Sequence, residues 1–437
     1  MTVASSYDQA VAHYRAGRLD LCFQAAVEGI RTPSPQAPAE LALLCLAEAG
    51  QFAVVDQILA LARDRGLQPI LLCRQTCANL LRSRKRAALQ AFATGMPAGH
   101  PLRIRAVYHA ACVRLVEGDT EGALGAFSGF RRQVKDYLTL VPFIPDDGFN
   151  VAFRQGTLVL PADEVERRLA ADADHPPASL DFRIERTADA TGRALYAVSA
   201  DGRYIERFAR NFALALDRPG RALHIHVVNG TEAADRILHD LPAALTHLSL
   251  GVSRSADRHY ATSTAFACTR FFVLPDLLRA YGRPIIALDI DIVPREPLVR
   301  LEAALDAPEF DFACYVTGRD EPASVYQASI MAWVPTAQTF GFLAALGRFC
   351  LPKLAMPARF NWMLDQAALI SVMNWQAQRG MPFRYRPLGE LLGCRFDDAV
   401  AGVASDEEKG GIKAMNAQIE QRLADADGFV HYDWSPE

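Results

Sequence analysis

Long apolar runs are what this 437-residue chain most plainly lacks. No uninterrupted apolar segment reaches the ~20 residues that a bilayer-spanning helix needs. The start, MTVASSYDQA, has no basic stretch leading into an apolar run of the kind that directs export. Both absences lead us to expect a protein made and kept in the cytoplasm. An excess of basic charge is missing too: 46 Lys and Arg against 50 Asp and Glu give a formal net charge of −4. There is no bulk attraction to a phosphate backbone, and nucleic acid is not an expected partner. Cysteine is sparse, with nine residues scattered among apolar neighbours, which excludes a disulfide scaffold. Cys73 and Cys77 are one helical turn apart, but no second pair or nearby histidine completes a zinc set, so they read as reduced core thiols.

What is present suffices for more than one core. Hydrophobic residues at 51% and charged residues at 22% are those of a globular protein, and the length predicts two or three domains. Residues 1–140 read as helix after helix, because apolar residues recur at spacings of three and four and β-branched runs are scarce. The segment also repeats. AGRLDLCFQAA, AGQFAVVDQIL, SRKRAALQAF and EGDTEGALGAF start their turns at Gly17, Gly50, Ser83 and Gly118, at intervals of 33, 33 and 35 residues. That is close to the period of tetratricopeptide-like helical hairpins, although the tryptophan and proline signals of that repeat are mostly absent. In such a unit the small and large residues Ala88, Leu89, Phe92 and Ala123, Leu124, Phe127 would pack one helix on its partner.

Residues 141–193 read as a linker with small elements of its own, among them a strand-like TLVLP and a charged helical ADEVERRLAA. From residue 194 the periodicity switches. ALYAVSA (194–200), ALHIHVVN (222–229), THLSL (246–250) and PIIALDI (284–290) are short apolar runs separated by amphipathic helical segments such as RYIERFARNFALAL. Alternating strands and helices predict an α/β domain over 194–437, with helices on both faces of a sheet and ligands beyond the carboxyl ends of its parallel strands.

The segment RPIIALDIDIVPREPL carries the most chemistry. Its strand runs into Asp289-Ile290-Asp291, and residues two apart on an extended chain share a side. Paired carboxylates suit a hard divalent cation such as Mg2+ or Mn2+, which can clamp a diphosphate. A cap or a salt bridge is the other role open to such a pair. Asp172-Ala173-Asp174 and Asp425-Ala426-Asp427 repeat the spacing in polar, turn-like surroundings and read as solvated loops. Only the first pair ends an apolar strand, where uncompensated charge is costly.

The order of segments from Leu195 onward resembles nucleotide-sugar glycosyltransferases of the GT-A fold, above all glycosyltransferase family 8. The matching segments are AVSADGRY, ATSTAFACTRFFVLPDLLRAYG, IIALDIDIVP, YQASIMAWVP, FNWMLDQAALI and GFVHYDW. The resemblance implies a Rossmann-like mixed sheet, a nucleotide-diphosphate-sugar donor, a Mn2+ or Mg2+ ion, and transfer to a hydroxyl acceptor with retention. By resemblance, Ala200, Asp201 and Tyr204 would hold the nucleoside, and Asp201 could equally cap the following helix. Arg270 would reach the donor and the metal-binding carboxylates, or make only a surface salt bridge, and Pro275 would kink its helix. Asp289, Ile290, Gln327 and Ser329 would contact the donor, and Asp365 and Gln366 would lie beside the sugar as the catalytic pair. Asp289, Asp291 and His431 would ligate the metal. Gln327, Ala328 and Ser329 stand where the family has Asn-Ala-Gly, and the family's Gly-x-x-Lys-Pro-Trp after the late histidine is missing. Lys413 could supply the lost charge to the diphosphate, or Gly410-Gly411-Ile412-Lys413 could be an exposed hinge.

Two other functions fit parts of this pattern. A non-catalytic adaptor would bind a protein through its repeats and carry a degenerate transferase domain; the intact Asp289, Asp291, Arg270, Asp365 and Gln366 oppose it. A nucleotidyltransferase would share the sheet and the metal, but needs a Gly-rich basic loop after its first strand, and DGRYIERF is a poor one.

Overall fold

The computed structural model describes residues 5–97, 100–133, 156, 158–171, 182–192, 194–256, 263–354 and 363–402. The chain divides into two compact units, one holding the described residues 5–133 and the other those from 156 to 402. Among the described residues, no helix is long and apolar enough to cross a membrane.

Among its described residues the first unit is helical, with α1 (Ser6–Arg15), α2 (Leu19–Ile30), α3 (Gln36–Ala49), α4 (Val55–Arg63), α5 (Pro69–Arg82), α6 (Arg86–Gly95), α7 (Pro101–Val116) and α8 (Thr120–Gln133). Successive helices pack as neighbours. The chain reverses after α1, α3, α5 and α7 through one left-handed residue each time: Gly17 (φ 69°), Gly50 (φ 67°), Arg84 (φ 53°) and Gly118 (φ 85°). Glycine takes that conformation without the Cβ clash other residues pay. At the third turn Ser83 keeps a right-handed backbone and the strained position falls one residue later, on Arg84. Ala88, Leu89, Phe92, Ala123, Leu124 and Phe127 are buried, as their spacing predicts. Cys73 and Cys77 are buried as well, and burial pushes the Cys73 thiol up to about 12.

The second unit is α/β. Its eight-stranded sheet comprises β1 (Arg183–Arg186), β2 (Ala194–Asp201), β3 (Arg221–Val228), β4 (Ser249–Ser255), β5 (Ile285–Leu288), β7 (Phe312–Tyr315), β8 (Gln327–Trp333) and β9 (Tyr385–Pro387), in the order β1-β4-β3-β2-β5-β8-β7-β9. The central strands β4, β3, β2 and β5 run parallel, whereas β8 is antiparallel to both of its neighbours and β1 is antiparallel to β4. The sheet is therefore mixed. β6 (Ile292–Pro294) pairs with β10 (Val400–Gly402) in a separate two-stranded ribbon.

Helices cover both faces. Following α9 (Ala162–Ala171), α10 (Gly202–Leu216) and α11 (Glu232–Asp240) pack together. Ile205, Phe208 and Phe212 of α10 join Tyr196, Val198 and Ala200 of β2 in one core. On the other face Val273, Leu274 and Leu277 of α12 (Ser263–Tyr281) meet Ala197 and Ser199. With α13 (Leu298–Ala304) between them in sequence, α14 (Ala337–Leu354) and α15 (Leu364–Gln378) extend the α12 layer, and α9 packs on both. Pro275 lies inside α12 without ending it. The strand expected at TLVLP is absent: Val159 and Leu160 are buried, but the Leu160 amide donates to Ser371 Oγ at 2.9 Å instead of joining a ladder.

Candidate active site

Four elements end or begin at one place, the carboxyl edge of β2 and β5. β2 closes on Asp201, whose carboxylate accepts from the Tyr204 amide at 2.9 Å and so caps α10. β5 runs out at Leu288, and the next amide, Asp289 N, donates to Ser329 O of β8 at 3.0 Å. That bond pins the first acid of the pair to the neighbouring strand. α12 brings Arg270 from the sheet face, and the first turn of α15 brings Asp365 and Gln366.

Arg270 spends its whole fork inside the protein. Nη2 donates to Asp289 Oδ1 at 2.5 Å, Nη1 to Ala328 O at 2.7 Å and Nε to Ala267 O at 2.7 Å. Its side chain is only 9% exposed, so the surface salt bridge is not its role. Burial opposes its charge, and the nearby Asp289 and Asp365 carboxylates outweigh burial and raise its pKa. Asp365 is also buried; burial pushes its carboxyl up, Arg270 pulls it back and Asp289 pushes it up further. Burial, with Asp291 and Asp201 alongside, raises the Tyr204 phenol.

Gln366 is 5% exposed. Its Nε2 donates to Gln327 Oε1 at 3.3 Å, its backbone amide donates to Asp365 Oδ1 at 2.9 Å, and its Oε1 is buried without a hydrogen-bond partner. An unpaired buried acceptor costs about 1–3 kcal/mol, which a donor arriving with a ligand would recover.

These groups line one cavity of about 340 Å3, within the usual range of small-molecule sites. Ala200, Asp201, Tyr204, Arg270, Asp289, Ile290, Asp291, Gln327, Ser329, Asp365 and Gln366 all border it. Lys413 and His431 lie outside the described residues. Ser199, Phe266, Ala267 and Met363, which are not among the site residues that the sequence predicts, border the same cavity. Phe266 and Ala267 could have been found as one turn before Arg270 on its helix. Ser199 Oγ, buried without a partner, sits two residues before the acid that ends β2. Met363 holds φ 63° at the start of α15, a strained conformation for a non-glycine residue that no sequence pattern announces.

The cavity carries four carboxyl groups, those of Asp201, Asp289, Asp291 and Asp365, against one guanidinium already committed to Asp289. A diphosphate would meet an acidic wall there unless a cation entered with it. The two strand-end carboxylates have the hard oxygen donors that Mg2+ or Mn2+ prefers, and such ions commonly take one or two carboxylates and complete their shell with phosphate and water. The donor set fits on that chemistry, although no cluster of three or more His, Cys, Asp or Glu suited to a metal occurs among the described residues.

No family model matches the chain, and no curated protein matches it. Among solved structures it is similar to an apo structure of the bifunctional glycosyltransferase WbbM, at 15% identity over 53% of this chain and a TM-score of 0.31. The matched part spans about half (52%) of that WbbM chain. It is also similar to apo mouse xyloside xylosyltransferase 1, at 13% identity over 45% of this chain and 84% of that one, TM-score 0.30. A third likeness is to the galactosyltransferase LgtC in complex with donor and acceptor sugar analogues, at 14% identity over 55% of this chain and 98% of that one, TM-score 0.31. At such scores these are likenesses only, and the case for a function rests on the cavity.

Proposed function

We propose that the second unit is a GT-A-type glycosyltransferase that moves a sugar from a nucleotide-diphosphate-sugar to a hydroxyl acceptor. The observation that carries this reading is convergence: the acid pair Asp289/Asp291, Arg270 and Asp365/Gln366 come from β5, α12 and α15 and border a single cavity. In this reading Asp289 and Asp291, with His431, hold a divalent cation, which when bound supplies positive charge to the departing diphosphate. Arg270 fixes the rotamer of Asp289 through its bond to Oδ1, and so would hold that carboxylate in place for the cation. The cap at Asp201 and the ring of Tyr204 hold the nucleoside at the end of β2, and Ala200, Ile290, Gln327 and Ser329 complete the donor contacts. The Gln366 amide, whose buried Oε1 has no partner within the protein, lies near the reacting carbon of the sugar, and the Asp365 carboxyl holds sugar hydroxyls. In this reading Asp201, Asp289, Asp291 and Asp365 all serve to hold the donor or the cation, which assigns none of them as a general base and goes with transfer that retains configuration.

The helical unit enters the reading as a recruiter. Stacked helical hairpins of tetratricopeptide type offer an extended surface for protein segments, and an acceptor tethered there would sit at high effective concentration near the cavity. The direct test of the catalytic reading is a thermal-shift screen of nucleotide-sugars with and without Mn2+, since a ligand that binds only the folded state raises its melting temperature. One nucleotide-sugar should stabilise the chain in a Mn2+-dependent way, and Asp291→Asn should abolish both that shift and donor hydrolysis. Undiminished hydrolysis by Asp291→Asn, or turnover in excess chelator, overturns the assignment.

A further inference from the structure

On the α12 face of the sheet, polar side chains occupy a row that the apolar strand pattern does not announce. β3 contributes His224 and His226, both with no exposed surface; β4 contributes Gly251, Ser253 and Ser255; α12 ends on Tyr281. The parallel register sets His224 beside Gly251 and His226 beside Ser253. The contacts are continuous. Ala188 N donates to Tyr281 OH at 2.9 Å, Tyr281 OH lies 2.7 Å from His224 Nδ1, and His224 Nε2 lies 2.8 Å from Ser253 Oγ. Ser253 Oγ lies 2.9 Å from His226 Nδ1, and His226 Nε2 lies 3.0 Å from Ser255 Oγ. Gly251 makes the room: a Cβ there would stand 2.7 Å from both Tyr281 OH and His224 Nδ1, and 2.6 Å from the Ala188 amide.

One end of this row fixes the direction of every proton in it. The Ala188 amide can only donate, so the Tyr281 oxygen accepts. The single phenol proton then goes to His224 Nδ1. That ring, if neutral, carries its own proton on Nε2 and donates to Ser253, whose hydroxyl turns to His226 Nδ1; His226 in turn donates from Nε2 to Ser255. The reverse order would aim the Ala188 amide and a His224 Nδ1–H at the same phenol oxygen and leave the phenol proton without an acceptor.

We infer that Ala188, Tyr281, His224, Ser253, His226 and Ser255 form one proton-ordered chain, with both imidazoles neutral and protonated on Nε2, and that this chain fastens the C-terminal half of α12 to β3 and β4. Pro275 gives the fastening its purpose. It lacks an amide proton and interrupts the helical ladder between Arg270 and Tyr281, so the two halves of α12 are less stiffly joined than in an ordinary helix. Arg270 anchors the first half to Asp289 and Ala328. Tyr281 anchors the second half and is a positioning residue for the helix that carries the arginine. The groups facing the rings are Tyr281 from α12, Ser253 and Ser255 from β4, Phe182 at 5.6 Å from His226, and each other. None is a charged side chain at neutral pH, so nothing beside the rings favours an imidazolium; burial pushes both down to about 3, with His224 adding to the effect on His226.

The test uses the full chain labelled with 15N at its ten histidines. Long-range proton–nitrogen correlation at pH 7, assigned with His224→Leu and His226→Leu, should show both rings as neutral Nε2–H tautomers whose shifts hold from pH 8 to pH 5. An Nδ1–H tautomer, or a charged ring at pH 7, at either position overturns the ordering. Tyr281→Phe removes only the hydroxyl and should raise amide exchange across residues 276–281 by about tenfold or more, with exchange in α10 unchanged. His224→Leu, which removes the phenol's acceptor instead, gives the same readout by a second route. Unchanged exchange in these variants overturns the fastening.

Discussion

At the residue scale, Arg270 decides how the acid pair is held. It joins Asp289 with its side chain almost wholly buried, so deleting it strands a carboxylate and the Ala328 carbonyl together. Removing one partner of a fully buried pair typically costs about 3–5 kcal/mol, and the 27% exposure of the Asp289 side chain puts this pair at the low end. Arg270→Ala should therefore lower unfolding stability by roughly 3 kcal/mol in urea titrations, and Arg270→Lys by clearly less, because a lysine keeps the charge but not three donors in a plane. Equal losses in the two variants would mean that charge is unimportant there. Gln366→Ala should lower kcat by about 10^2-fold while donor affinity, read by the Mn2+-dependent thermal shift, changes little. Asp365→Asn should do at least as much harm. The acid pair was legible because it ends an apolar strand, and Arg270, Asp365 and Gln366 because their segments follow the order of the family that the sequence resembles; the cavity brings all five together. Met363 was not legible, since nothing in its side chain announces a left-handed backbone.

At the element scale, the strands at 194–201 and 221–228 and the helix at 202–216 follow directly from their apolar periods. β4 begins three residues later than THLSL suggests and continues through GVSRS, where glycine and serine hide the strand signal. Those same residues build the polar row, so the feature that masked the strand is the one that gives it a task. TLVLP failed for the opposite reason: it is apolar and β-rich, yet its Leu158, Val159 and Leu160 are buried without a strand partner among the described residues. The buried rings make stability depend on pH. His224 and His226 fall from 6.5 to about 3 and His109 of the helical unit to about 4, so between those limits the unfolded chain binds protons that the folded chain refuses. Their contribution is complete above pH 6.5 and is lost as pH falls through that window, by about 2 kcal/mol per ring at pH 5. Urea midpoints at pH 7 and pH 5 measure this for each unit, and His226→Leu should flatten the profile of the second. A second-unit midpoint that is the same at both pH values, in parent and variant alike, would contradict it.

At the scale of the whole molecule, the two units ask to be separated. A chain beginning at Pro142 should retain donor hydrolysis and lose transfer to protein in a host lysate if the hairpins recruit the acceptor; equal labelling by both chains would leave them as scaffold. The start of β2 at residue 194 was legible as a change of period from helical to alternating, whereas the second unit already takes in β1 at 183–186. The helix at 162–171 was legible as a helix but not as part of the second unit, because its charged sequence gives no hint of the α14 and α15 surfaces it covers. One consequence concerns synthesis. The cavity draws its walls from Ser199 through Gln366, and β8 and α15, which close it, come late in the chain. The hairpins pair neighbours in sequence and can fold as they leave the ribosome, whereas the central sheet cannot close its β5–β8 edge until residue 333 has emerged. A nascent chain thus presents its helical surface well before its cavity exists, and any partner bound there is in place before a ligand can enter.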